Sequence, residues 1–242
     1  MIRVLCICSV LLFWASGAQA QELSLSLGEG GSLTSTSIQL IALITILSLA
    51  PGIAIMITCF PFLITVFAIL RQAIGLQQSP PNMLLVSLAL FLTYFIMEPI
   101  FLASWEMGVQ PVLNDGLPIE EGFELAMEPF RGFMAGRLDQ NTFQAMSSLR
   151  FPEDPPTLSP EAPLSILVPS FMLSEIARAF QIGFLIFLPF LIIDLVVAAV
   201  LMSMGMMMVP PVIVSLPFKL AFFVVADGWS LLSESLVRGY FT

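Results

Sequence analysis

The stretch VAAVLMSMGMMMVPPVIV, residues 197–214, joins two long apolar runs through a methionine cluster and a Pro-Pro pair. Five of the seven residues from Met202 to Met208 are methionine. Gly205 and Pro210-Pro211 interrupt the helical pattern on either side, so the segment reads as the Met-rich loop of a helical hairpin. Methionine is unbranched, polarizable and able to repack. A cluster of it suits a surface that seals against itself and later yields to varied partners. Filling gaps in a core is the other use of methionine, and both readings stand at this point.

Working outward, apolar blocks lie on both sides, Leu164–Leu201 and Val209–Val225, and two more lie upstream, Ile38–Leu70 and Met83–Phe101. Hydrophobic residues make up 58% of the chain and charged residues 10%, with a mean hydropathy of +0.99. This composition specifies a membrane protein, and the long apolar blocks make it all-α. The first block would reach about 50 Å as one straight helix, against a hydrocarbon core of about 30 Å. Pro51-Gly52 and Pro61 lie inside it, which predicts a kinked or broken helix whose loosened backbone is covered by neighbouring protein.

At the N-terminus, Met1-Ile2-Arg3, the apolar run Val4–Ala15 and Ala18-Gln19-Ala20 read as a signal peptide over residues 1–20, followed by a loose Ser/Gly-rich tail over 21–37. Cys6 and Cys8 would leave with the signal. Cys59 would then be alone, with no internal disulfide. Residues 38–104 form a first hairpin turning at Arg71–Asn82. Residues 105–163 form an insert with ten acids against Arg131, Arg137 and Arg150, and residues 164–242 form the second hairpin. Within the insert, Phe123, Met127, Phe130, Met134 and Leu138 fall at mostly helical intervals. They predict one or two amphipathic helices with Pro129 near a boundary. Four spans from an exported N-terminus put the Arg71–Asn82 turn and the methionine cluster on the cytoplasmic side, and the insert outside.

Glu98, Glu175, Arg178, Asp194, Lys219 and Asp227 fall inside or at the ends of apolar blocks, where a charge costs several kcal/mol unless paired or wetted. Lys219 is the sole lysine and needs a partner. Glu175 and Asp194 are the candidates, within the chain or from a neighbouring copy. Snorkelling at helix ends and a proton relay through Asp194 and Glu175 are the other readings. The chain has no histidine, which excludes His-built zinc sites and Ser-His-Asp or Cys-His catalysis. No G-x-x-x-x-G-K-[ST] loop is present. Neither cofactor nor metal is called for. The net charge of −9, one unit more negative once Arg3 is removed, makes nucleic acid an unsuitable partner.

Long strings in the chain resemble one family. Phe67-Ala-Ile-Leu-Arg-Gln-Ala-Ile-Gly75, Ser79-Pro-Pro-Asn82 and Leu88-Ala-Leu-Phe-Leu-Thr-Tyr-Phe-Ile-Met-Glu-Pro99 match its first half. Ala179-Phe-Gln-Ile-Gly-Phe-Leu-Ile-Phe-Leu-Pro-Phe-Leu-Ile-Ile-Asp194, Met202-Ser-Met-Gly-Met-Met-Met208, Leu216-Pro-Phe-Lys219 and Asp227-Gly-Trp229 match its second half in order. The sequence is thereby identified as resembling the FliP family of flagellar type III export gate proteins. It is nearer to this flagellar branch than to the related virulence-secretion SctR branch, given the signal segment and the sizeable acidic insert. One departure stands at Pro61-Phe62, where relatives often carry a hydroxyl residue followed by a basic one. A proline kink is expected there in place of a basic contact.

The resemblance implies a non-enzymatic, pore-forming subunit that conducts unfolded flagellar proteins from the bacterial inner membrane within the flagellar basal body. It implies long kinked helical hairpins packed side by side in a ring or cone, a homo-oligomeric, pentameric ring, and a small helical periplasmic insert. Much of the assembly would be raised toward the periplasm. The implied partners are FliQ and FliR in the gate, FlhA and FlhB beside it, export substrates and membrane lipid. It also implies a pore gasket at Met204, Met206, Met207 and Met208, and an inter-subunit charge network of Glu175, Asp194 and Lys219. The alternative is an ion or proton transporter subunit that uses the buried acids. An intramembrane enzyme lacks a base-nucleophile pair.

Overall fold

The computed structural model describes residues 33–76, 79–206 and 208–241 of the 242-residue chain. The signal segment 1–20, residues 21–32 of the tail and Met207 lie outside the described residues. The chain divides into two compact units, 1–48 and 49–242. In the first, the described part is helical from Leu33 and exposes Ile38, Ile41, Ile44 and Leu47.

All regular structure among the described residues is helical. In chain order the helices are α1 (Leu33–Met56), α2 (Phe60–Ile74), α3 (Asn82–Ser104), a π turn (Trp105–Val109), α4 (Gln110–Asn114), α5 (Ile119–Arg137), α6 (Gln140–Arg150), α7 (Leu164–Ser203), α8 (Pro211–Val225) and α9 (Gly228–Phe241). Among the described residues two helical stretches are long and apolar enough to cross a membrane, Asn82–Asn114 and Leu164–Ser203. Up to four spans result if α1 with α2, and α8 with α9, each count as one broken span.

The first apolar block breaks at Ile57–Cys59, not at Pro51-Gly52, and Pro51 lies inside α1. Pro61 sits in the first turn of α2, where its missing N–H has no intrahelical partner to lose, so the proline starts the new helix. α2 runs past Arg71 to Ile74, which shortens the turn expected over Arg71–Asn82. The second block also continues beyond the expected insert boundary at Trp105, through the π turn to Asn114. Pro129 lies inside α5, and the boundary comes at Leu138-Asp139. Beyond Val225 the chain bends by 60° into α9, a helix that the hydropathy reading did not separate.

α2 is the centre of the larger unit and packs chiefly on α7 and α3. Its stripe of Cys59, Phe62, Leu63, Val66, Phe67, Leu70 and Ala73 is buried, at the three- and four-residue spacing of one helix face. Leu85, Ala89 and Met97 of α3, Ala179 and Phe190 of α7, Phe223 of α8 and Leu232 and Leu236 of α9 complete this core. A second core lies in the insert, where Met134, Leu138 and Phe143 pack with Ile166, Leu167 and Phe171 at the start of α7. The π turn brings Gly108 hard against α5. A Cβ at Gly108 would sit 2.4 Å from the Ala126 Cβ, so only glycine permits the crossing. Ser104 Oγ fastens it by donating to the Ala126 carbonyl at 2.8 Å.

Candidate functional site

The methionine loop follows directly from the way α7 ends. Gly205 adopts a left-handed φ of 77°. The Met206 N–H then donates to the Leu201 carbonyl at 3.0 Å, and the Gly205 N–H donates to the Met202 carbonyl at 3.1 Å. This pair of bonds is a Schellman cap, which satisfies terminal carbonyls and turns the chain sharply. Pro210 and Pro211 then start α8, with Pro211 at its first position. The turn leaves the methionines outside the subunit core: Met204 is 67% exposed, Met206 43% and Met208 97%. Met204 and Met206 also line one end of an open apolar groove of about 690 Å³ between α7 and α8, with Val196, Val200, Phe218 and Phe222.

Roughly 15 Å down the α7 helix from Met204, by its rise per residue, lies the first ionic cluster. Lys219 Nζ of α8 donates to Asp194 Oδ2 of α7 at 2.5 Å and to the Ala73 carbonyl of α2 at 3.2 Å. Ser215 Oγ donates to Asp194 Oδ1 at 2.5 Å. Of the two candidate partners, Lys219 therefore takes Asp194, and it does so within its own chain. The Lys219 side chain is 5% exposed and that of Asp194 29%.

Glu175 is elsewhere, in a cluster of its own. Its side chain is 0% exposed, and its Oε1 accepts from Arg137 Nε of α5 at 3.3 Å. Its Oε2 accepts from the Tyr240 hydroxyl of α9. The Arg137 guanidinium lies 3.9 Å from the Tyr240 ring centroid and donates to the Gly239 carbonyl at 2.8 Å. Tyr240 packs edge-on to Phe62 and stacked with Phe133. Beside this cluster the Asp139 N–H donates to Ser174 Oγ at 3.1 Å, and the Asp139 carboxylate caps α6 by accepting from the Thr142 N–H at 2.9 Å. The Thr142 N–H and hydroxyl hold the Asp139 carboxyl below the ordinary carboxylate range.

Of the other singled-out charges, Glu98 and Asp227 are exposed and Arg178 is half-buried. Asp227 marks the break between α8 and α9, with φ 47°. Arg137, Tyr240 and Ser215 were not singled out from the sequence. Ser215 stands four residues before Lys219 on one helix face, and Tyr240 continues the stripe Leu232, Leu236 at the same interval, so both carried a spacing signal. Among the described residues no group of three or more His, Cys, Asp or Glu is placed to hold a metal ion.

An apolar helical hairpin with an exposed methionine tip, braced by one buried lysine, can be compared directly with known proteins. The FliP family model matches residues 43–236. The chain belongs to the FliP family. It is 47% identical over 240 residues to the flagellar biosynthetic protein FliP of Caulobacter vibrioides, covering 99% of this chain and 90% of that protein. It is 43% identical over 244 residues to that of Agrobacterium fabrum, covering 99% of this chain and 100% of that protein. With that of Bacillus subtilis the identity is 44% over 206 residues, covering 85% and 93%. This FliP-family chain is thus a membrane component of flagellar biosynthesis and its export apparatus, and not an enzyme.

Proposed function

We propose that this FliP-family chain is the pore-forming subunit of the flagellar type III export gate. In this reading it conducts unfolded flagellar proteins and closes the channel at rest with Met204, Met206, Met207 and Met208. The carrying observation is the Schellman turn that holds Met204, Met206 and Met208 out of the subunit's own core. Large flexible apolar side chains held in that way need an outside surface to seal against, and several copies arranged in a ring supply one to each other. Exposed Phe91, Phe184, Leu185 and Leu195 on the long helices leave apolar faces for neighbouring copies and for lipid.

The subunit then works as one member of a homo-oligomeric, pentameric ring of kinked hairpins in the bacterial inner membrane. The ring is raised toward the periplasm within the basal body, with the insert on the periplasmic side. FliQ and FliR complete the gate, while FlhA and FlhB act beside it. Lys219, Asp194 and Glu175 fix the hairpin surfaces that meet neighbouring copies, and the part-exposed edge of Asp194 is the group best placed to reach one. An ion or proton transporter would need an acid free to bind its cargo. Both Asp194 oxygens are already engaged, by Ser215 and Lys219.

Replacing Met206, Met207 and Met208 with alanine tests the gasket. The ring should still assemble, as judged by native mass with and without FliQ and FliR, and the membrane should leak small solutes. An assembled variant with an unchanged barrier would overturn the gasket.

A further inference from the structure

Lys219 makes a second contact that pairing with Asp194 does not require. Its ammonium also donates to the Ala73 carbonyl, one of the last carbonyls of α2. At that helix end the Gly75 N–H bonds to the carbonyls of Arg71 and Gln72, and the Leu76 N–H bonds to that of Arg71. The lysine thus carries a positive charge to the negative end of the α2 dipole, inside a buried setting. The approach is close along this whole edge. A Cβ on Gly75 would lie 3.6 Å from Leu216 Cδ1 of α8, three residues before Lys219. On the far side of Gly75 the chain enters the turn where Arg71 donates to Asn82 Oδ1 and the Pro80 carbonyl.

We infer that Lys219 is a positioning residue of the gate: by capping α2 it couples the methionine hairpin, α7–α8, to the C-terminal end of α2 at residues 74–76. The bare pairing role would need only one carboxylate. An ammonium shared between two acceptors makes the placement of the hairpin depend on the end of α2, and the reverse. Anything that displaces the end of α2 therefore pulls on the hairpin that carries the methionines. The link to the gate rests on the function proposed above, while the cap itself does not.

The test separates cap from counter-ion. In the double variant Asp194→Asn/Lys219→Met no charge is left unpaired, so the subunit should still fold and accumulate in the membrane. Ala73 nevertheless loses its cap. Amide hydrogen exchange over residues 74–76, at the end of α2, measured in the detergent-extracted protein, should then run roughly tenfold faster than in the unsubstituted protein, as expected for one lost charged bond in a buried setting. The Lys219→Arg variant keeps a cation on both acceptors and should retain the original protection. Unchanged exchange in the double variant would overturn the cap and leave Lys219 a counter-ion. Exchange faster to the same degree in Lys219→Arg would also overturn it, since the effect would then follow side-chain shape. Solute leak is read in parallel. Faster exchange without leak supports the cap and counts against the gate reading alone, whereas faster exchange with leak supports both.

Discussion

The two buried ionic clusters stand on the same helix, α7, roughly 28 Å apart along its axis, yet they are built differently. Around Glu175 it is the acid that is enclosed: it is 0% exposed, and both oxygens are taken by groups from α5 and α9. Around Asp194 it is the base that is enclosed and the acid that keeps an open edge, at 29%. An enclosed acid has no water to fall back on, so its partners act as permanent ties between insert, α7 and α9. An acid with an open edge can exchange a partner for water or for another chain at lower cost. The first cluster therefore reads as structural, and the second as the one at which packing can be rearranged.

That contrast breaks most visibly at Glu175. Glu175→Ala leaves the part-buried Arg137 without its carboxylate and should destabilise the subunit by about 3–5 kcal/mol. Loss of the protein from the membrane fraction and a lowered melting midpoint in detergent would register it. Lys219→Met strands an acid that retains access to water, so the cost should be smaller, roughly 1–3 kcal/mol. A cost for Lys219→Met equal to or above that for Glu175→Ala in the same melting assay would defeat the comparison. Tyr240→Phe removes one of the donors to Glu175 and should cost about 1–2 kcal/mol, with proteolysis at the bend between α8 and α9 as the sharper readout.

Smaller still is the effect of acid on the insert. The Asp139 carboxyl is held below its usual range by the Thr142 N–H and hydroxyl. Its contribution is therefore complete above the ordinary carboxylate pKa, and it is lost as pH falls through the lowered folded value. Exchange protection in α6 should accordingly begin to fall as pH drops below the ordinary carboxylate range, and Asp139→Asn, which can still cap, should flatten that dependence. Smallest of all should be the stability change for Met208→Ala, within about 0.5 kcal/mol, since the side chain meets almost nothing in its own subunit. A larger loss in the isolated subunit would mean that Met208 is a packing residue after all.

Much of this was legible in the residues. The apolar blocks announced the helices, Gly205 with Pro210-Pro211 announced the turn, and the long shared strings announced the family. Pro51-Gly52 and Pro61 together announced a kinked or broken first block, and the residues alone did not say at which of them the break would fall. Here the break came at Ile57–Cys59, where Pro61 could open a new helix without losing a bond. The π turn was not legible either: nothing in Trp105–Val109 taken alone states that Gly108 will meet Ala126.

By itself the sequence determined the class of the protein, most of its helical segments, the methionine turn and the list of charges that had to find partners. Each of these follows from hydropathy, backbone conformational preference or the cost of an unpaired charge, and such properties are local to a residue and its neighbours. Only the tertiary structure decided the partners. Lys219 and Ala73 lie 146 residues apart and Glu175 and Tyr240 lie 65 apart, and each pair meets only after whole helices have packed. The sequence left Lys219 two acids to choose between. Helix packing placed Asp194 against it and closed Glu175 inside a different knot, because an ion pair forms where the backbone brings two charges within a few ångströms and nowhere else.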